Sequence, residues 1–327
     1  MRVTAKHTGI TAKLIAETLI LLLGLALLAN ALVGADLGAW FYPLYLPILF
    51  FQGLWLDRIY IIGHEAAHKK LVPTNRTLND ALGQFVLLPL LIPVIIYRKV
   101  HYFHHGFNRK DHHHSALDVF VSRRPVTPLI RAYYYLLWYL GVFAGGYFLH
   151  SLASIVIFLF LPTAQAQKIS PAFRGWNARD RLVAWGQFSL GLAFHASVWL
   201  AFGAQAWLYA LGLPLLSFAW IWSLLVYIFH YDTTIGSQVR FNVRSLSRHP
   251  FFSWLLMNFN EHATHHMHPT IPWYELPEKH KDLPAAYARN QNAKTFLQAV
   301  LNQLKGPTVI YDKDEDPTPH LFVRWED

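Results

Sequence analysis

Four long apolar runs, at residues 14–33, 39–61, 182–202 and 207–229, constrain this chain more than any other feature. Each is about 20 residues or longer, the length a helix needs to cross a bilayer. Lipid offers a backbone no hydrogen-bond partners, so runs of this kind cross as helices that satisfy their own N–H and C=O groups. Composition agrees: 54% of the 327 residues are hydrophobic and 14% are charged, against about 25% charged in a soluble domain. The expected fold class is therefore an all-α integral membrane protein. Cysteine is absent, which removes disulfides, thiolate zinc sites, iron–sulfur clusters and thiol nucleophiles together. The net charge of +9 is spread over polar loops between apolar runs. That distribution reads as membrane topology and contact with anionic headgroups, not as a nucleic-acid surface.

Histidine is the unusual residue, with 19 copies. Eight fall in three short boxes beside apolar segments: His64 and His68 in HEAAH, His101, His104 and His105 in HYFHH, and His262, His265 and His266 in HATHH. Positions i, i+3 and i+4 of a helix share a face, so each box can aim two or three imidazoles at one point. Without thiolates, a metal here takes nitrogen and oxygen ligands, and neutral imidazole suits iron, zinc, copper or nickel. Eight nitrogens exceed the four of one tetrahedral zinc, which points to two metals. HEAAH also matches the His-Glu-x-x-His pattern of zinc proteases, but that reading leaves both His-x-x-His-His boxes without a role. A non-enzymatic metal-binding or transport protein is the alternative from another class. It predicts polar residues along a path through the spans, for which His150 and His195 are thin support.

If the three boxes share a site they lie on one side of the membrane, and that parity fixes the topology. Residues 1–13 carry Arg2, Lys6 and Lys13, and the first run lacks a small-x-small cleavage pattern, so it reads as a retained span and not a signal peptide. Basic residues are dense from Arg58 to Arg131, which makes this region and the N-terminus cytoplasmic. The apolar stretch 78–97 is interrupted by Pro89 and Pro93, and 132–161 is broken at Gly145-Gly146. Both are expected to be re-entrant or interfacial, because a single crossing by either would separate the boxes. The short uncharged segment 203–206 is expected to turn on the far side between two spans. The sum is one domain over 1–327: four transmembrane helices, two inserted segments, a helical cytoplasmic cap from 62–131 and 230–280, and a cytoplasmic tail, 281–327, with an acidic patch at 312–316.

HEAAH, HYFHH and HATHH resemble the three boxes of the membrane fatty-acid desaturase and hydroxylase superfamily, integral-membrane di-iron enzymes that activate oxygen. The third box in its context, NFNEHATHHMHPTIPWYELP (258–277), is similar to the family's third box followed by a Pro and aromatic segment. The resemblance covers about residues 14–277. It implies transmembrane helices capped by a cytoplasmic domain that holds two irons, with His64, His68, His101, His104, His105, His262, His265 and His266 as ligands. Family members place a further ligand near the cytoplasmic end of the last span, where this chain has His230. One subfamily has an Asn four residues earlier; here that residue is Val226. Asn108, Asp111 and Asp118 look like the family's Asn/Asp-rich loop, and carboxylates such as Asp118, Glu65 and Glu261 can orient imidazoles through their second ring nitrogen. Asp111-His112-His113-His114 and His268 are expected to stay off the metals, and His195 and His150 to be packed.

What the resemblance implies for chemistry is O₂ as co-substrate and oxidation of an unactivated C–H bond in a long-chain lipid. Fatty-acyl desaturation leads. Hydroxylation or ketolation of an alkane, fatty acid or carotenoid, and terminal-alkene formation from a fatty acid, stay open on the same scaffold. No haem, flavin or iron–sulfur motif is present, so electrons are expected from a separate carrier of the ferredoxin, rubredoxin or cytochrome b5 type.

Overall fold

The structure, a computed structural model, describes residues 5–113 and 116–312. Arg2, His114 and most of the acidic patch lie outside them. In chain order the helices are α1 (Ala5–Gly34), α2 (Phe41–Ala67), α3 (Arg76–Leu87), α4 (Val94–Phe107), α5 (Pro128–Phe143), α6 (Gly146–Phe160), α7 (Thr163–Ala166), α8 (Ala178–Trp207), α9 (Leu213–Leu225), α10 (Pro250–Leu255), α11 (His262–Met267), α12 (Leu276–Lys279) and α13 (Phe296–Asn302). Two compact units contain them. One is Met1–Arg98, Arg179–Ile221 and Leu255–Met257, and the other is Lys99–Ala178, Trp222–Trp254 and Asn258–Asp327.

In the first unit, α1 and α2 pack through polar side chains that have partners. Trp55 Nε1 donates to the Thr18 carbonyl at 2.7 Å, and the buried Arg58 donates to Thr18 Oγ1 at 3.3 Å and to the Leu255 carbonyl at 2.9 Å. The outward face of α1 carries Ile20, Leu23 and Leu27, all exposed, the inverse of a soluble helix and the pattern of one that faces lipid. α3 lies close against the end of α2. A Cβ on Gly83 would stand 2.4 Å from Ala66 Cβ, and one on Gly63 would meet the Leu87 side chain at 2.5 Å.

The expected breaks are where the helices turn. Arg76–Leu90 and Val94–Phe107 meet at 96° around Leu91, whose φ of 56° is left-handed, between Pro89 and Pro93. α8 is interrupted at Gly203 (φ 87°, ψ 167°). Trp207 Nε1 donates to His195 Nδ1 at 3.1 Å, although twelve residues of straight helix would separate them by about 18 Å. The chain therefore doubles back at Gly203. His195 Nε2 bonds the Pro89 carbonyl at 3.0 Å, so both ring nitrogens are engaged in packing. By length and composition, Lys6–Gly34, Gly38–Ala67 and Ala178–Leu225 can cross a membrane, and the count reaches five if each bent pair is one span. Unbroken, the 48 residues of Ala178–Leu225 would run about 72 Å, more than twice a hydrocarbon core of about 30 Å.

The second unit contains the other bent pair, α5 and α6, which meet at 86° where Gly145 takes φ 82°. One of its buried clusters is Trp138, Val142, Tyr227 and Tyr231. A C-terminal strap fastens it: Trp138 Nε1 donates to the Gln303 carbonyl at 2.8 Å and Tyr231 OH to the Gly306 carbonyl at 2.7 Å. Here the fold departs from all-α. β1 (Val119–Ser122) pairs in parallel with β2 (Thr308–Tyr311), Val119 opposite Thr308. Each strand is one short apolar stretch with no hairpin turn beside it, and its partner lies far away in the chain.

Candidate metal centre

The first box ends α2. His64 occupies the last turn and His68 is the C-cap, with their rings 4.7 Å apart. The helix stops because Lys69 adopts φ 59°, which lets the Lys70 N–H reach the Glu65 carbonyl and the Lys69 N–H the Ala66 carbonyl, both at 2.9 Å. This is the hydrogen-bond pattern of a Schellman end. Glu65, buried, pairs with Lys70 Nζ at 2.9 Å and approaches His64 Nδ1 at 3.4 Å, which directs the other ring nitrogen of His64 away from the carboxylate.

In the second unit, boxes two and three and His230 come together, and each box divides its histidines between two clusters. His105 Nε2 lies 3.0 Å from both His101 Nε2 and His265 Nε2. His104, His230, His262 and His266 form the other group, with one ring nitrogen from each within 4.8 Å of the rest. At 100° per residue, His101 and His105 sit about 40° apart around α4 while His104 is about 60° to the other side of His101. One box therefore reaches two points, a finer outcome than the single focus per box that spacing alone predicts. His230 arrives on the turn after α9, and its Nε2 is 3.0 Å from His262 Nε2.

These contacts have the dimensions of a metal shell. Two nitrogens about 2.1 Å from an ion and at right angles to each other are about 3.0 Å apart. One ring nitrogen carries a single proton or a single lone pair, so His105 Nε2 cannot form two full hydrogen bonds to its two neighbours. The environment also keeps the rings neutral, the form that ligates. Burial pushes His230 and His266 well below the ordinary imidazole value, and the neighbouring histidines push in the same direction. His230 Nδ1 faces the Asn242 carbonyl at 3.4 Å; a carbonyl only accepts, so Nδ1 bears the proton and Nε2 offers its lone pair to the cluster. His266 is buried, and among the described residues neither of its ring nitrogens has a hydrogen-bond partner.

The supporting polar groups are distributed differently from the sequence expectation. Asp118 Oδ1 pairs with Arg109 Nη1 and accepts from Tyr227 OH at 3.0 Å, while Oδ2 accepts from the Asp232 N–H at 2.9 Å. It thus acts on the backbone turn that carries His230. Glu261 accepts from Thr264 Oγ1 at 3.2 Å and pairs with His280. Asn242 and Asn108 clasp each other's loops: Asn108 Nδ2 donates to the Asn242 carbonyl at 2.8 Å, and Asn242 Nδ2 to the Arg109 and Gly236 carbonyls at 2.9 Å. Arg109, Tyr227, Asn242 and His280 were not legible in the sequence, since no local spacing marks them. His113 faces Asp312 at 3.8 Å, outside both clusters. His268 caps α11, and His150 lies in α6.

The model of the family described as fatty acid desaturase matches residues 41–297, which takes in all three boxes and His230. The chain belongs to the fatty acid desaturase family. It is 24% identical over 315 residues to a "Delta(9) fatty acid conjugase-like enzyme" of Dimorphotheca sinuata, covering 87% of this chain and 79% of that one. It is 22% identical over 310 residues to the "sn-1 oleoyl-lipid 12-desaturase" of a Synechocystis strain, covering 87% and 82%. With the chloroplastic omega-6 fatty acid desaturase of Brassica napus, 23% identity extends over 82% of this chain and 60% of the relative. This desaturase-family protein is an enzyme, an oxidoreductase of lipid metabolism, and a membrane protein.

Proposed function

We propose that this enzyme desaturates a fatty-acyl chain of a membrane lipid, with two iron ions as cofactor and O₂ as co-substrate. The observation that carries the reading is His266, a buried imidazole with no hydrogen-bond partner on either nitrogen among the described residues, standing among three others whose nitrogens lie within 4.8 Å. An unsatisfied buried polar group costs about 1–3 kcal/mol; a bound cation removes that cost. The proposed ligands are His64, His68, His101, His104, His105, His230, His262, His265 and His266. Iron bound there supplies the oxidising power that an unactivated C–H bond requires. The protein's own part is to keep the imidazoles neutral by burial, to fix His230 by the Asn242 carbonyl, and to hold its neighbours through Asp118 and Glu261. Zinc fits the donor set as well, but the family's oxidoreductase chemistry calls for a metal that changes valence.

The acyl chain is proposed to enter from the bilayer past the apolar helices. Four crossings and two re-entrant segments, with both termini and the histidines cytoplasmic, are supported by the reversal at Gly203, the two sharp bends and the density of basic residues. A separate carrier, ferredoxin, rubredoxin or cytochrome b5 in type, brings two electrons per turnover; an acidic carrier suits the basic cytoplasmic loops. Two electrons from the substrate and two from the carrier reduce one O₂ to two waters.

Mass spectrometry of acyl chains tests this. Cells that express the wild-type protein are expected to gain chains lighter by two hydrogens, and cells that express His266→Ala are not. Products heavier by one oxygen would overturn desaturation in favour of hydroxylation.

A further inference from the structure

Arg109 lies five residues beyond His104, just past the end of α4, with a left-handed φ of 47°. Its side chain is buried and spends its donors on one short segment. Nη2 donates to the Thr233 carbonyl at 2.9 Å, Nε to the Thr234 carbonyl at 3.3 Å, and Nη1 to Tyr227 OH at 2.8 Å, with Asp118 beside it. Tyr227 OH accepts also from the Leu117 N–H at 3.0 Å and donates to Asp118 Oδ1. Asp118 in turn holds the N–H of Asp232, whose φ is 56°.

His230 sits in the middle of that segment. Its own N–H bonds the Tyr227 carbonyl at 3.0 Å, while Asp232 and Thr233 stand two and three residues after it. Two side-chain-bearing residues in the left-handed region, one at each end of the link, persist only where the surroundings over-determine them. A planar guanidinium fork fixes direction as well as distance, so the position of His230 relative to His104 is set through Arg109.

We propose that Arg109, Tyr227 and Asp118 form a buried bracket whose task is to set the spacing of His104 and His230, so that the four-histidine cluster is preorganised for its metal. They are positioning residues, and the inference rests on the reading of that cluster as a metal site. It extends the role of Asp118 to two residues that neither the boxes nor their spacing mark. The bracket predicts a selective effect: groups that orient ligands typically contribute 10–100-fold in metal affinity, and this one acts on a single cluster of the two.

The test is a titration of metal-free full-length protein in detergent with Co²⁺, read by visible absorption, beside its thermal midpoint. Wild type is expected to show two binding steps. In Tyr227→Phe and Arg109→Lys one step weakens about 10–100-fold while the other keeps its affinity. Two unchanged steps in both variants would overturn the bracket and leave the metal site standing. Equal weakening of both steps, in parallel with a fall in thermal midpoint, would also overturn it, since that is the signature of general destabilisation. A wild-type protein without Co²⁺ binding would overturn the reading of the cluster itself, and the bracket with it.

Discussion

At the scale of single residues, the histidines divide into those with a hydrogen-bonding purpose and those without one. His195 bonds on both nitrogens and His113 faces a carboxylate, whereas His266 is buried with neither nitrogen hydrogen-bonded among the described residues. His266→Ala is therefore expected to lower the iron bound per chain with little change in the stability of the metal-free protein, while His113→Ala leaves the iron content as it was. Elemental analysis of the two purified variants checks this. Acid supplies a second prediction. His230 and His266 hold protons less tightly when folded than in the unfolded chain, where histidine titrates near 6.5. As pH falls through about 6.5, protons bind the unfolded state first, so the metal-free protein loses stability on acidification and regains it above that range. Metal affinity falls in the same direction, because protons compete for the imidazole nitrogens. Thermal midpoints of metal-free protein between about pH 5 and 8 that show no slope would contradict the neutral-imidazole assignment. The ligand candidates were legible because i, i+3, i+4 spacing is a local property of sequence. Their supports were not: Asn242 reaches Asn108, and Arg109 reaches Thr233, through tertiary contacts that no spacing encodes.

At the scale of elements, the breaks were legible and the close approaches were not. Pro89, Pro93 and Gly145 mark bends that backbone sterics impose, whatever surrounds them. By contrast, Gly83 reads as an ordinary helix glycine until α3 is seen against Ala66 of α2. Gly83→Ala is expected to destabilise the protein by about 1–3 kcal/mol, because the added methyl has no room. Gly186→Ala, whose Cβ would meet nothing within 4 Å, is expected to be neutral or slightly stabilising. Equal thermal midpoints for the two variants would contradict the packing described for α2 and α3. The β1–β2 pair escaped the sequence for a related reason: two four-residue apolar strands, far apart in the chain, have no local signature of parallel pairing.

At the scale of the whole molecule, the family match over residues 41–297 and the long apolar helices identify a membrane-bound desaturase-family enzyme. The requirement that its histidines share one membrane face governs the proposed topology. Because the chain contains no Cys, Ala204→Cys in the turn beside Gly203 creates a unique thiol. An impermeant maleimide is expected to label it on intact cells, and labelling only after permeabilisation would invert the proposed orientation. The metal is the centre of the account, and its identity and amount are measured directly by mass spectrometry of the elements in purified wild-type protein. About two iron ions per chain are expected, two being what the excess of histidines over a single shell requires. Zinc alone, or no metal that the histidine variants remove, would contradict it.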